Sequence, residues 1–274
     1  MRKIYAGNRI VLGLGSLVAG ALSLFAGPVE LSNDKIVQPQ APVCDPRWYF
    51  SIGGNGEFNT GATDLQHGAV IAPTGVVIGE IRANDFNDAY DFAFYSVDAE
   101  VGRVLTDRIE VFGQFKYAAS ATEDWIHNAV RINAGGPSPA FLAIKFDDFT
   151  SYGFQFGGRY FFVPKGAPLR PYVSIAGGAS HVDAISAETA LEPTGVVVSR
   201  NHFFDDSWVG TVTGLFGLEY SVTCHLAVGI NAGIGYSSPL AEDDQDLQGP
   251  VSKVNDDAGD RLYCPVTIYA KVRF

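Results

Sequence analysis

Eight segments of this chain alternate apolar and polar residues with a period of two, and each is far longer than an ordinary strand. From Arg47 to Asn59, Trp48, Phe50, Ile52 and Phe58 fall on one face, with Tyr49, Ser51, Asn55 and Glu57 on the other. The same pattern runs through residues 89–105, 109–120, 150–162, 170–180, 206–221, 225–236 and 260–274. Successive side chains of a strand point to opposite faces, so this period belongs to β-structure and not to helix. The segments are 11 to 17 residues long, whereas ordinary strands run about 5–6. A tilted strand needs about 9–11 residues to cross a bilayer, and every segment is long enough.

The connections alternate as strictly as the side chains. Residues 60–88, 121–149, 181–205 and 237–259 form long gaps, while 106–108, 163–169 and 222–224 form short ones. Short turns at one end and long loops at the other are the pattern of outer-membrane barrels. No stretch after residue 26 holds about 18 continuous apolar residues, so a closed barrel is the remaining way to span a membrane. The expectation is all-β: an eight-stranded antiparallel up-and-down transmembrane barrel over 47–274, with long external loops and short periplasmic turns.

A soluble barrel would alternate too, with its apolar face inward. Three features favour the inverted arrangement. The sequence stops at Phe274, with Val272, Ala270, Ile268 and Val266 at alternate positions before it. The more polar face is rich in glycine, with Gly53, Gly153, Gly157, Gly229, Gly233 and Gly235, which suits a crowded interior better than a wet exterior. Aromatic residues gather near segment ends at Trp48, Tyr117, Tyr152, Tyr160, Phe162, Tyr220 and Tyr236, as interfacial girdles require.

At the N-terminus, Arg2, Lys3 and Arg9 precede an apolar run from Ile10 to Phe25 that contains Ala19-Gly20-Ala21. A basic start, a short apolar centre and small residues near a cut read as a secretory signal peptide over 1–26. The run is 16 residues, short of the ~20 that a spanning helix needs. Residues 27–46, punctuated by Pro28, Pro39, Pro42 and Pro46, read as an extended periplasmic lead-in.

The last strand closes the pattern: Val266, Ile268, Ala270, Val272 and the terminal Phe274 share one face. This resembles the C-terminal strand that bacterial barrel-insertion machinery reads, with Phe274, Val272, Ala270 and Ile268 as the signal. The runs Pro171-Tyr172-Val173-Ser174-Ile175-Ala176-Gly177-Gly178 and Phe216-Gly217-Leu218-Glu219-Tyr220 are similar to strands of OmpA-type small eight-stranded outer-membrane proteins. The resemblance covers about 47–274. It implies an exported protein of the outer membrane of a Gram-negative-type bacterium, in contact with lipid and lipopolysaccharide and handled by the barrel-assembly machinery during insertion. It specifies architecture, not activity. Larger relatives carry a peptidoglycan-binding domain after the barrel, and with the sequence ending at Phe274 that anchoring role is not expected.

Eight strands enclose a space only wide enough for side chains to fill. The parity of the segments sends Glu57, Asp98, Glu100, Glu110, Lys116, Arg159, Glu219, Lys271 and Arg273 into it. A charge buried there must be paired, and the expectation is a structural polar network, with a gated ion path as the alternative. Asp243, Asp244, Asp246, Asp256 and Asp257 crowd the last long gap, where carboxylates suit Ca²⁺ or Mg²⁺, although the EF-hand spacing is absent. A solvated acidic loop is the simpler expectation there. No firm metal site and no cofactor are expected.

Cys44 and Cys224 are both expected on the periplasmic side, where a disulfide between them is compatible with an oxidising compartment. Three unpaired thiols are the alternative. Some small outer-membrane barrels modify lipid with a Ser and a His at the outer edge. The pair here, Ser180-His181, is adjacent in sequence and so faces opposite ways, and no catalytic residue is assigned. The net charge is −11, which argues against nucleic acid as a partner. The expected function is therefore structural or surface-interacting, without catalysis, through external loops that contact a host, phage or matrix ligand. A narrow porin-like channel is the alternative, and a lipid-modifying enzyme a more distant one.

Overall fold

Alternation and length produce strands with one greasy face, and such strands find partners for every backbone group only by closing on themselves. The computed structural model describes residues 45–274 except 61–62, 72–73, 91–92, 123, 134–138, 193, 242–252 and 256–258. The expected signal peptide, nearly all of the lead-in segment, Cys44 and the acidic run Asp243, Asp244, Asp246, Asp256 and Asp257 lie outside the described residues.

Eight long strands build the barrel: β1 (Trp48–Asn59), β4 (Ala93–Val104), β5 (Ile109–Ser120), β8 (Phe149–Phe161), β9 (Leu169–Val182), β12 (Ser207–Ser221), β13 (Leu226–Ser237) and β15 (Arg261–Arg273). Each matches an expected segment to within four residues at its ends. All neighbours are antiparallel, and the barrel shuts where β1 meets β15, with Tyr49 opposite Arg273 and Gly53 opposite Tyr269. The final residue takes part in closure: the Phe274 N–H donates to the Trp48 carbonyl at 2.9 Å, and the Trp48 N–H to the Phe274 carbonyl at 3.0 Å.

Two of the short turns use the same device. Thr106 Oγ1 accepts from the N–H groups of Arg108 (3.2 Å) and Ile109 (3.1 Å). Thr223 Oγ1 does the same for His225 (3.2 Å) and Leu226 (3.0 Å). A hydroxyl that satisfies two turn N–H groups is the chemistry that favours threonine in such positions.

The long connections depart from expectation. They are not loops but carry seven further strands: β2 (Asp64–Ile71), β3 (Val77–Asp85), β6 (Ile126–Ile132), β7 (Ala140–Phe146), β10 (Ile185–Leu191), β11 (Val196–Phe204) and β14 (Lys253–Asn255). One helical turn, α1 (Phe86–Ala89), follows β3 and is capped by Asp85, whose carboxylate accepts from the Asn87 and Asp88 N–H groups. The seven strands join in the order β11-β10-β7-β6-β3-β2-β14 as a second, open sheet. At three to nine residues these strands are shorter than the 12 to 15 of the barrel strands, and Ile126–Ile132 and Ala140–Phe146 lack a sustained period-two pattern, which is why the sequence does not announce them.

The two sheets have different cores. Outside the membrane span, Leu65, Val70, Phe86, Tyr90, Ile126, Val130, Ile144, Phe146 and Phe204 pack into an apolar cluster. Phe94, Phe149, Val182 and Val209 at the outer ends of barrel strands belong to the same cluster. The external sheet therefore stoppers the barrel mouth with apolar side chains. Phe86, Tyr90, Phe94 and Phe149 form its centre, with ring centroids 4.8–6.5 Å apart and mostly edge-on, the geometry aromatic pairs prefer.

Candidate functional site

Inside the barrel the core is ionic. All nine expected inward charges point into it, and Glu57, Glu219 and Lys271 have no exposed surface. Two more cations join them: Arg170 and Arg261 are also buried. Parity foretells both, because Arg170 lies two residues before inward Tyr172 and Arg261 lies at the same phase as Thr267 and Lys271. Five acids thus meet six bases.

The charges gather in two groups. Toward the periplasmic turns, Arg159 bridges Glu110 (3.3 Å) and Glu100 (3.2 Å), and Lys271 reaches Glu110 at 2.9 Å. Glu219 binds Lys271, Arg273 and, at 3.5 Å, Arg170. Toward the mouth, Glu57 is held between Lys116 and Arg261, and the Ser96 hydroxyl donates to it at 3.4 Å. Aromatic faces supplement the carboxylates. Arg170 lies 3.6 Å from the Phe161 ring centroid, Lys271 4.2 Å from Tyr49, Arg159 4.8 Å from Tyr172 and Arg261 4.3 Å from Tyr263. A ring quadrupole attracts a desolvated cation, so the interior compensates its charges twice.

Between the groups, the Gln155 amide donates to Thr211 Oγ1 at 2.9 Å, and the Asn231 amide to the Tyr172 hydroxyl at 3.2 Å. Interior cavities of about 30 Å³ each adjoin the two groups, an outer one lined by Glu57, Lys116 and Arg261 and an inner one lined by Glu100 and Arg159, each with room for one or two waters. Side chains, not solvent, fill the described lumen.

The exterior is the reverse. Phe50, Ile52, Val97, Val101, Phe154, Phe156, Ile175, Phe216, Ile234, Ile268 and Val272 are all exposed, Phe156 at 73%. The expected girdle residues Trp48, Tyr117, Tyr152, Tyr160, Phe162, Tyr220 and Tyr236 are exposed as well. At the outer rim, Tyr152, His181 and Trp208 stand directly abreast on three neighbouring strands. The His181 ring stacks on Tyr152 at 5.1 Å, and Asp183 and Asp206 lie 3.6 and 3.5 Å from its two nitrogens. Ser180 faces the other way, onto the outer of the two lumen cavities, so the adjacent Ser and His do not meet.

Cys224 is held in a disulfide and Cys264 is free. No group of three His, Cys, Asp or Glu side chains among the described residues is placed to hold a metal ion.

A closed ring of eight antiparallel strands, apolar outside and ionic inside, defines a transmembrane β-barrel of the outer-membrane type: its surface suits acyl chains and its polarity is that of no water-soluble barrel. The solved structures similar to the chain are barrels of this type. Neisserial surface protein A shares 16% identity over 83% of this chain and 97% of its own, with a TM-score of 0.37. Ail, the attachment invasion locus protein of Yersinia pestis, shares 12% over 84% and 100%, with a TM-score of 0.39. The N-terminal β-barrel domain of Pseudomonas aeruginosa OprF shares 13% over 83% and 99%, with a TM-score of 0.33. No protein-family model matches the chain, and no curated protein matches it in sequence.

Proposed function

We propose that this protein is a non-catalytic scaffold of the outer membrane that presents its external sheet as a binding surface. One observation carries the reading: the four long connections are built into an ordered seven-stranded sheet with its own apolar core, not left as variable loops. A sheet held over a plugged barrel is a platform, and its tips are suited to contact. Val76 and Val77 at the β2–β3 tip are exposed, as are Val196, Val197 and Val198 at the β10–β11 tip. Charged pairs lie elsewhere on the external sheet: Arg131 of β6 with Glu80 of β3 (3.5 Å), and Arg200 of β11 with Asp147 just past β7 (3.0 Å). Exposed apolar side chains grouped together are the usual composition of an interaction site. The partners this surface suits are host, phage or matrix molecules, while lipopolysaccharide contacts the rim below.

The test is adhesion of cells displaying the protein to a matrix-coated surface, compared with cells displaying a variant whose five tip valines are serine. Loss of adhesion at equal surface abundance supports the reading, and equal adhesion sinks it. The channel reading predicts steady conductance steps in planar bilayers. A lumen filled as described predicts none. The lipid-enzyme reading predicts a changed lipid A mass on overexpression.

A further inference from the structure

The five lumen acids are not served equally. Glu57 touches two cations, Glu100 one, and Glu110 and Glu219 three each. Asp98, only 4% exposed, has no ion pair among the described residues. Lys116, its direct cross-strand neighbour on β5, turns to Glu57 instead. Asp98 Oδ1 has no hydrogen-bond partner.

Asp98 lines the inner of the lumen cavities, about 30 Å³, together with Glu100, Asn231, Gln114, Thr267 and the guanidinium-bearing Arg159. Glu100 gives Oε2 to Arg159 and leaves Oε1 unpartnered. Asn231 gives its amide to Tyr172 and leaves Oδ1 unpartnered. Both are more than nine-tenths buried. Three orphaned buried oxygens thus border one void of water size. Their neighbour across β1 is Gly53, in register with Asp98, where a Cβ would come 2.8 Å from Asp98 Oδ1.

We propose that this cavity is a site for a single monovalent cation of about the size of Na⁺, with Asp98 as its charged ligand and the free oxygens of Glu100 and Asn231 beside it. A hard cation seeks oxygen ligands, and a buried carboxylate left without a counter-charge costs several kcal/mol. Around the cavity itself Asp98 and Glu100 face one cation, Arg159, which also lines it and is shared with Glu110, so the immediate surroundings are about one charge negative although the lumen as a whole has five acids and six bases. That matches a monovalent ion, while a divalent ion would reverse the imbalance next to Arg159.

The test uses the full chain refolded in a zwitterionic detergent. Its melting midpoint is compared in NaCl and in choline chloride at equal ionic strength, and ²³Na relaxation is measured on the same samples. A ligand that binds only the folded state raises its stability, so the midpoint should rise with Na⁺ over choline and the ²³Na line should broaden. Asp98→Asn should abolish both effects, while Glu188→Gln on the external sheet should keep them. Should Asp98→Asn fail to fold, Asn231→Ser provides a second variant: losing one neutral ligand should weaken the apparent Na⁺ affinity roughly threefold to tenfold. Equal behaviour of the wild type in Na⁺ and choline means that a proton, water or Lys116 serves Asp98, and overturns the site. An Na⁺ effect that survives in Asp98→Asn overturns it as well.

Discussion

The ring of Tyr49 on β1 lies flat across Gly102 on β4, its direct cross-strand partner. A Cβ at position 102 would lie 2.2 Å from the ring's Cζ. Three further pairs repeat the arrangement: Tyr172 over Gly217, Tyr269 over Gly229 and Tyr263 over Gly235. In each the glycine admits a neighbouring backbone's aromatic side chain into a narrow lumen, a role only a residue without Cβ can fill.

Gly102→Ala should therefore expel or tilt the Tyr49 ring and cost about 1–3 kcal/mol, the usual range for overpacking. Urea unfolding in detergent, followed by the heat-modifiable gel shift, measures it. Gly54→Ala, where a Cβ meets nothing within 4 Å, should leave the midpoint nearly unchanged. Equal losses in both variants would refute the packing argument.

Phe156 projects from the middle of β8 into the lipid zone. Phe156→Arg should cost about 2–4 kcal/mol, the figure for a cation near the bilayer midplane, and should lower the folded fraction assembled into vesicles. A water-facing barrel exterior would accept the same change with little loss. Normal assembly of the variant would argue that this face does not meet lipid.

Glu219 is fully buried and contacts three cations. Glu219→Gln keeps its shape but strands positive charge in the lumen. Breaking a buried pair from one side costs about 3–5 kcal/mol, so the variant should unfold at distinctly lower denaturant. The double change Glu219→Gln with Lys271→Met should recover part of the loss, because the carboxylate and one of its cations leave together. A double variant no better than the single would show that the two charges are not coupled.

Tyr90 has no exposed surface and contacts Phe86, Phe94 and Phe149 in the external core. Tyr90→Ala should cost about 3–5 kcal/mol, as aromatic truncations in cores do. The loss should fall on the external sheet: limited proteolysis should cut within residues 60–92 and 121–148 while the barrel strands stay protected. Uniform protection would mean that the external sheet does not depend on this cluster.

Alternation over eleven or more residues places all eight barrel strands, because a period of two converts directly into sidedness and length into span, while the glycine-rich polar face and the aromatic residues near the segment ends say which face meets lipid. The same parity puts all nine expected charges inside and, followed to the beginning of the segments 170–180 and 260–274, accounts for Arg170 and Arg261. What only the tertiary structure decided is who meets whom. Whether Lys116 turns to Glu57 or to Asp98, and that Lys271 serves Glu110 and Glu219 across strands far apart in sequence, depends on the stagger of the closed ring, which no single strand encodes. The external sheet is of the same kind: its short strands are individually unremarkable, and they become a sheet because the barrel below holds the roots of successive hairpins side by side.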